Sequence, residues 1–350
     1  MNAKDAFNSF RVMMFGSAFG AIFAVCSISQ VEAGEAVHKP FVLGYSAGFL
    51  TDPAQALLVN LMMDSAKKAG IKTLPVANAN GDPGKQITDV HNLISEGAQG
   101  IILVPVDSEA IIPAVNFAAE RKVPVVAIDT GPSGGKIYMI VRADNFRMGM
   151  EDGQLVGKAL GGKGTVLLLM GDQASLNGRD RANGFADGIK QNFPGIRINA
   201  QPMYWKSDKS TTVTQTVVST TPDLSAIYMS SDTVCLAGVL NVLKSAGKLK
   251  EVGTPGRICL FGIDGSPLAL QSIRDGWVDA TISQPLDLYV KYGLEHLQEA
   301  VDGKTCHVGP TDHDSHIIEF KGNLMDLLPA PIVTKENVDD KSLWGNQVKQ

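Results

Sequence analysis

Residues 100–129 read GIILVPVDSEAIIPAVNFAAERKVPVVAID. Two short apolar runs, Gly100–Pro105 and Pro124–Asp129, flank a stretch with helical spacing. Both runs are uninterrupted rather than alternating, as in strands covered on both faces. Asp107-Ser108 offers an N-cap for the intervening helix. The segment reads as strand, helix, strand, with an aspartate beyond each strand. The same order extends in both directions. Apolar runs recur at 41–46, 72–77, 137–141, 165–170, 196–201, 226–230, 258–264 and 280–284. Asp52-Pro53 and Asp82-Pro83 each place a cap before a proline suited to the first helical position, and Asp144-Asn145 and Asp232-Thr233 supply further caps. This alternation predicts a parallel α/β fold of two open parallel-sheet lobes rather than a closed barrel. One group of units runs to about Val141 and the second starts near Asp144, with short crossing strands between them.

The composition agrees with a two-domain globular protein. The chain has 350 residues, about two domains' worth. Lys and Arg number 31 against 36 Asp and Glu, a net charge of −5, which is a poor match for nucleic acid. At the N-terminus, Lys4 and Arg11 precede an apolar run from Val12 to Ile28, and Val31-Glu32-Ala33 follows. Residues 1–33 therefore read as a secretory signal peptide cleaved after Ala33, with an uncleaved anchor as the alternative. Val25 before Cys26 argues against a lipid anchor. The expected product is a soluble exported protein retaining Cys235, Cys259 and Cys306. At most one disulfide is open to three cysteines. Cys235 and Cys259 fall in apolar patterns and read as buried small hydrophobes.

Catalytic motifs fail in context. Gly44-Tyr-Ser-Ala-Gly48 matches a nucleophile elbow, but no helix follows at once. Residues 157–163 resemble a phosphate loop, yet Gly164 replaces the hydroxyl residue and a strand follows instead of preceding. They read as a glycine-capped helix end. No dinucleotide fingerprint follows a strand. Asp312-His313-Asp314-Ser315-His316 reads as a solvated loop entering a strand rather than a metal cluster. No enzyme activity, cofactor or metal is expected.

In open parallel sheets ligands sit beyond the carboxyl ends of the strands. The polar groups there are Ser46, Asp107, Asp129, Ser231-Asp232, Asp264 and Gln284. Arg179 follows the strand ending at Met170, and Trp205 follows the one ending at Gln201. Carboxylate acceptors, an arginine fork, amides and an aromatic platform suit a sugar or polyol.

These residues resemble the periplasmic sugar-binding proteins of the ribose-binding type over roughly 41–320. The resemblance rests on Val-Pro-Val-Asp107-Ser, Pro-Val-Val-Ala-Ile-Asp129, Arg179-Asp-Arg-Ala-Asn-Gly-Phe, Ser231-Asp232, Phe-Gly-Ile-Asp264-Gly-Ser-Pro and Asp-Ala-Thr-Ile-Ser-Gln284. The tail from Val333 through Leu343-Trp-Gly-Asn is similar to tails in the same transport class. It implies that Asp129, Arg179, Asp264 and Gln284 hold sugar hydroxyls and that Trp205 stacks on the ring. Thr130, Ser231 and Asp52-Pro-Ala-Gln55 depart from the ribose pattern, which puts ribose itself in doubt. Phe49, Tyr45 or Arg142 are the residues expected to compensate. The candidate ligand set is thus Asp129, Arg179, Asp264, Gln284, Trp205, Ser231, Asp107, Ser46, Phe49 and Arg142.

The resemblance further implies a Venus-flytrap protein with one lobe at 38–143 plus 285–310 and the other at 144–284 plus 311–350. Hinges are expected near 143–144, 284–285 and 310–314. The implied function is delivery of a monosaccharide or polyol to the permease of an ABC importer in the inner membrane, by a monomer. A sensor module signalling to a chemoreceptor or kinase is the alternative, and a secreted enzyme a third.

Overall fold

The computed structural model describes residues 40–348, and the expected export signal lies outside that range. The chain first builds β1 (Val42–Ala47), α1 (Pro53–Lys68), β2 (Lys72–Thr73), β3 (Ala77–Asn78), α2 (Pro83–Ser95), β4 (Gly100–Leu103), α3 (Ile112–Glu120), β5 (Val125–Ile128) and β6 (Met139–Ala143). Asp52 and Asp82 are the N-caps foreseen. Asp52 accepts from the Ala54 amide at 2.8 Å, and Asp82 accepts from Gly84 at 2.8 Å. Ile101, Ile102 and Leu103 are fully buried in β4, each contributing about 1.5–3 kcal/mol of burial.

The chain then crosses to a second lobe: α4 (Asn145–Ala159), β7 (Gly164–Met170), α5 (Leu176–Asn192), β8 (Ile196–Pro202), α6 (Ser207–Thr220), β9 (Leu224–Met229), α7 (Asp232–Ser245), β10 (Cys259–Asp264), α8 (Pro267–Arg274) and β11 (Ala280–Ser283). It returns through α9 (Leu286–Asp302), β12 (Gly309–Pro310), β13 (His316–Phe320) and β14 (Asn323–Leu328). It crosses again into β15 (Ile332–Val333) and α10 (Trp344–Gln347). The first sheet has the order β12-β13-β14-β6-β5-β4-β1-β2, with β3 also on β1, and the second β15-β11-β10-β9-β7-β8. Pairing between the βα units is parallel throughout.

One expected boundary is corrected. Residues 316–328 join the first sheet, not the second lobe, and the third crossing falls at Pro329-Ala330-Pro331 rather than at 310–314. Phe320 pairs with Asn323 across a two-residue turn. Lys321 and Gly322 there have φ of 48° and 81°. Two positive φ values give the turn that matches strand twist in a hairpin. β14 then lies parallel to β6, burying Met325 with Ile140 and Ala127.

The second lobe has an unusually close helix pair. Cβ atoms added to Gly149, Gly153 and Gly157 on α4 would strike α5 or the residue after it. Cβ atoms added to Gly184 and Gly188 on α5 would meet the backbone of α4, and at Gly184 the Phe146 carbonyl oxygen would be 2.0 Å away. The spacing of four keeps these glycines on one face of each helix. The backbones therefore touch, and α5 is fixed against β10 through α4. Cys235, Cys259 and Cys306 are all free thiols.

Candidate functional site

A cavity lies between the lobes, beyond the carboxyl ends of both sheets. Its empty space is about 540 Å³, open solvent at the mouth included. The first lobe contributes Phe49, Asp52, Gln55, Asp129 and Thr130, and the second Ser175, Asn177, Arg181, Trp205, Ser231 and Asp264. Gln284 and Leu286 come from the crossing between them.

Two aspartates anchor the floor. Asp129 follows β5 with φ at 65°, and the Thr130 amide turns back to the Ile128 carbonyl at 2.7 Å. Asp264 ends β10 with φ at 130°. Non-glycine residues with positive φ are strained, and such strain gathers at binding sites. Asp129 accepts from Gln55 Nε2 at 2.8 Å and from Asn177 Nδ2 at 3.0 Å. Burial raises its carboxyl pKa, opposed chiefly by the Arg181 charge. Asp264 accepts from Arg181 Nη1 at 3.2 Å, Gln284 Nε2 at 2.8 Å and Ser231 Oγ at 2.5 Å. The Trp344 indole donates to its carbonyl oxygen at 2.7 Å.

Two more carboxyls surround this pair. Asp52, the N-cap of α1, also lines the cavity, and burial, then the Asp264 charge, push it up to about 7. Behind Asp264, Asp232 accepts from the amides of Gly265 and Ser266 and from Thr281 Oγ1. Burial, then Asp264, push it up to about 6. Arg181 is the guanidinium of the cavity. Its Nε donates to Asn145 Oδ1 at 2.7 Å and its Nη1 to the Ser230 carbonyl at 2.6 Å. Trp205 forms one wall, close over Gly171, with its indole on Ser175 Oγ at 3.3 Å.

Of the ten residues expected here, Asp129, Asp264, Gln284, Trp205, Ser231 and Phe49 line the cavity. Four do not. Arg179 turns away, donating to the carbonyls of Gln173 and Ala174 and to Ser133 Oγ of the other lobe at 2.8 Å. Arg181 takes the place expected for it. The helix starts after the Ser175 cap, so 177 and 181 share a face and 179 lies about 200° away from 177. Asp107 caps the turn before α3 through the amides of Glu109 and Ala110. Ser46 is fully buried against Gln86 Nε2 at 3.3 Å. Arg142 lies one layer behind, pairing with Asp180 at 2.8 Å and donating to Asn177 Oδ1 at 2.8 Å. Asp52, Gln55, Asn177 and Arg181 were missed in the sequence.

The lobes are drawn together in this form. Ser108 N donates to the Ala174 carbonyl and Leu176 N to Ser108 Oγ, both at 3.0 Å. Arg142–Asp180, Arg142–Asn177, Arg179–Ser133 and Asn177–Asp129 add four side-chain links across the cleft.

A two-lobed α/β protein whose strand ends meet across a polar, aromatic-walled cleft is a Venus-flytrap binding protein. Residues 44–305 match the periplasmic binding protein domain, and the chain belongs to that family, in its ribose-binding branch. It is 31% identical to the ribose import binding protein of Bacillus subtilis over 266 residues, 76% of this chain and 83% of that one. It is 25% identical to a xylitol-binding protein of Mycolicibacterium smegmatis over 325 residues, 92% of this chain and 84% of the other. The fold is shared with a Caulobacter myo-inositol-binding protein at a TM-score of 0.73 and 24% identity, covering 85% and 94% of the two chains. Among the described residues no helix is long and apolar enough to cross a membrane.

Proposed function

We propose that this protein captures a neutral monosaccharide or linear polyol in the interlobe cleft and delivers it to an ABC permease from the periplasm. The observation that carries the reading is the set of groups lining the cavity. Three carboxyls, Asp52, Asp129 and Asp264, face one guanidinium, Arg181. Carboxyls pair with hydroxyls whether ionised or protonated, and a single guanidinium already engaged by Asp264 leaves little to hold an anion, so sugar phosphates and sugar acids are disfavoured. Phe49 and Trp205 offer apolar faces to C–H surfaces. The relatives named for ribose, xylitol and D-allose fall in the same chemical class. Groups from both lobes reach the ligand, so binding favours the closed form, and a closed monomer presents both lobes to the permease together. The ribose and xylitol relatives are named as binding proteins, and release of the ligand unchanged is expected.

The test is a thermal-shift screen of the protein purified from the periplasm, against aldoses, alditols, inositols, nucleosides and sugar phosphates. A ligand at 100 times its Kd stabilises by about 2.7 kcal/mol, which raises the midpoint by about 5 °C or more. A shift with one neutral sugar or polyol is expected. A shift only with phosphorylated or acidic compounds overturns the reading.

A further inference from the structure

A second cluster of chemistry-bearing groups lies outside the cleft. The last turns of α9 carry His296 and Glu299. Gly303, at φ 79°, stops the helix, and the amides of Gly303 and Lys304 turn back onto the carbonyls of Ala300 and Glu299. That reversal returns Cys306 to the turn that carries the histidine. His296 Nδ1, Glu299 Oε2 and Cys306 Sγ then lie within 4.8 Å of one another. The N···O separation is 3.0 Å, S···N is 3.7 Å and S···O is 3.4 Å.

Those separations match a metal shell. Zinc bonds are about 2.0–2.2 Å to nitrogen and oxygen and about 2.3 Å to sulfur. Tetrahedral angles then put N···O near ~3.3 Å and the sulfur separations near ~3.6 Å. Each observed value falls within about 0.4 Å of this geometry.

The surroundings orient the donors. His296 Nε2 lies 3.2 Å from Asp326 Oδ2. Without a metal, Nδ1–H donates to Glu299 at 3.0 Å; once that proton leaves, the Nε2–H held by Asp326 fixes the ring with the Nδ1 lone pair turned to the cluster, which is how metal-binding histidines are set. Asp326 is itself fully buried and braced by His313 Nε2 at 3.1 Å and by Ser315 Oγ. His313 stacks on Tyr292, so the histidine-rich stretch before β13 supports this cluster from behind. The Tyr138 hydroxyl lies 3.2 Å from Cys306 Sγ. Glu299 keeps about a third of its side chain exposed, 34%, and leaves an approach from solvent.

We propose that His296, Glu299 and Cys306 form a binding site for a zinc-class divalent cation, with Asp326 as the positioning residue and water as the fourth ligand. Binding replaces the Cys306 thiol proton and any proton on His296 Nδ1, and both leave to solvent. The site is independent of the sugar reading.

The test uses the untagged periplasmic protein, stripped with chelator and kept reduced. Cobalt(II) is titrated first and zinc(II) second. One cobalt per chain is expected, with a thiolate-to-cobalt charge-transfer band and the intense visible bands of tetrahedral cobalt, both abolished by one equivalent of zinc. Cys306→Ser should lose the charge-transfer band and weaken zinc binding by about 100-fold or more. Asp326→Asn should weaken it by about 10–100-fold while keeping the band. Metal-free Cys306→Ser should melt with the wild type, which separates loss of a ligand from loss of fold. No thiolate band in the wild type, or equal zinc affinity in the wild type and Cys306→Ser, overturns the proposal.

Discussion

Asp129 and Asp264 end strands of the two lobes at matching places in the cleft. Both have positive φ and both are buried. Their partners differ. Asp129 is held by neutral amides, Gln55 from its own lobe and Asn177 from the other. Asp264 is held by a buried guanidinium, an amide and a hydroxyl, and its backbone by Trp344. The second lobe is thus a charged, prebuilt half-site, whereas the first completes its half only when Asn177 arrives across the cleft. Carboxylates with these two surroundings should answer mutation differently.

The largest effect is expected at Asp264. Asp264→Asn strips the counter-charge from buried Arg181, and breaking a buried pair costs about 3–5 kcal/mol. Ligand affinity should fall by about 100-fold or more and the melting midpoint by about 6 °C or more. Asp129→Asn should cost about 10-fold in affinity, one charged hydrogen bond, with little change in midpoint. Equal losses by calorimetry at both sites would break the asymmetry. The glycine seam of the second lobe comes next. Gly184→Ala drives a methyl against backbone and should destabilise by about 2–3 kcal/mol in urea unfolding. Gly293→Ala in the first lobe meets side chains and no backbone of a neighbouring element, Ile128 most closely, and should cost less.

Arg179→Ala is smaller again. It removes the bond to Ser133 that helps hold the lobes shut, about 1 kcal/mol, so affinity should drop by roughly fivefold. Complete loss would mean Arg179 touches the ligand after all. The last contrast is a slope with pH. Asp152 on α4 is buried, and burial, then Asp232, hold its pKa well above the usual range. A raised folded pKa gives stability that is full below about pH 4 and is lost as pH climbs through the folded value. Asp152→Asn removes that loss, so its midpoint should gain on the wild type from pH 4.5 to 8. A difference that stays flat with pH would show that Asp152 does not titrate on unfolding.

These contrasts also mark what the sequence could reveal. The βα units were legible because their strands are uninterrupted apolar runs with capped helices after them. Asp129, Asp264 and Gln284 were legible because a strand end is a fixed place in such a sheet. Arg181 was not, although the Ser175 cap and a count of four from Asn177 pointed to it. The β13–β14 hairpin was hidden because Glu319 and Asp326 break its apolar runs and its turn, Lys321-Gly322, is a weak signal. Asp52 was seen only as a cap, since nothing local says that a cap faces a cleft. The Cys306 cluster joins three segments, α9, the turn after it and β14, and only folding brings them together.

The Trp344 indole has one more consequence. It lies 80 residues after Asp264, the residue whose carbonyl it holds. A chain emerging from a ribosome presents the aspartate long before the tryptophan. The half-site of the second lobe therefore cannot be finished while the polypeptide is still being made through that interval. Ligand capture therefore waits until synthesis has passed Trp344.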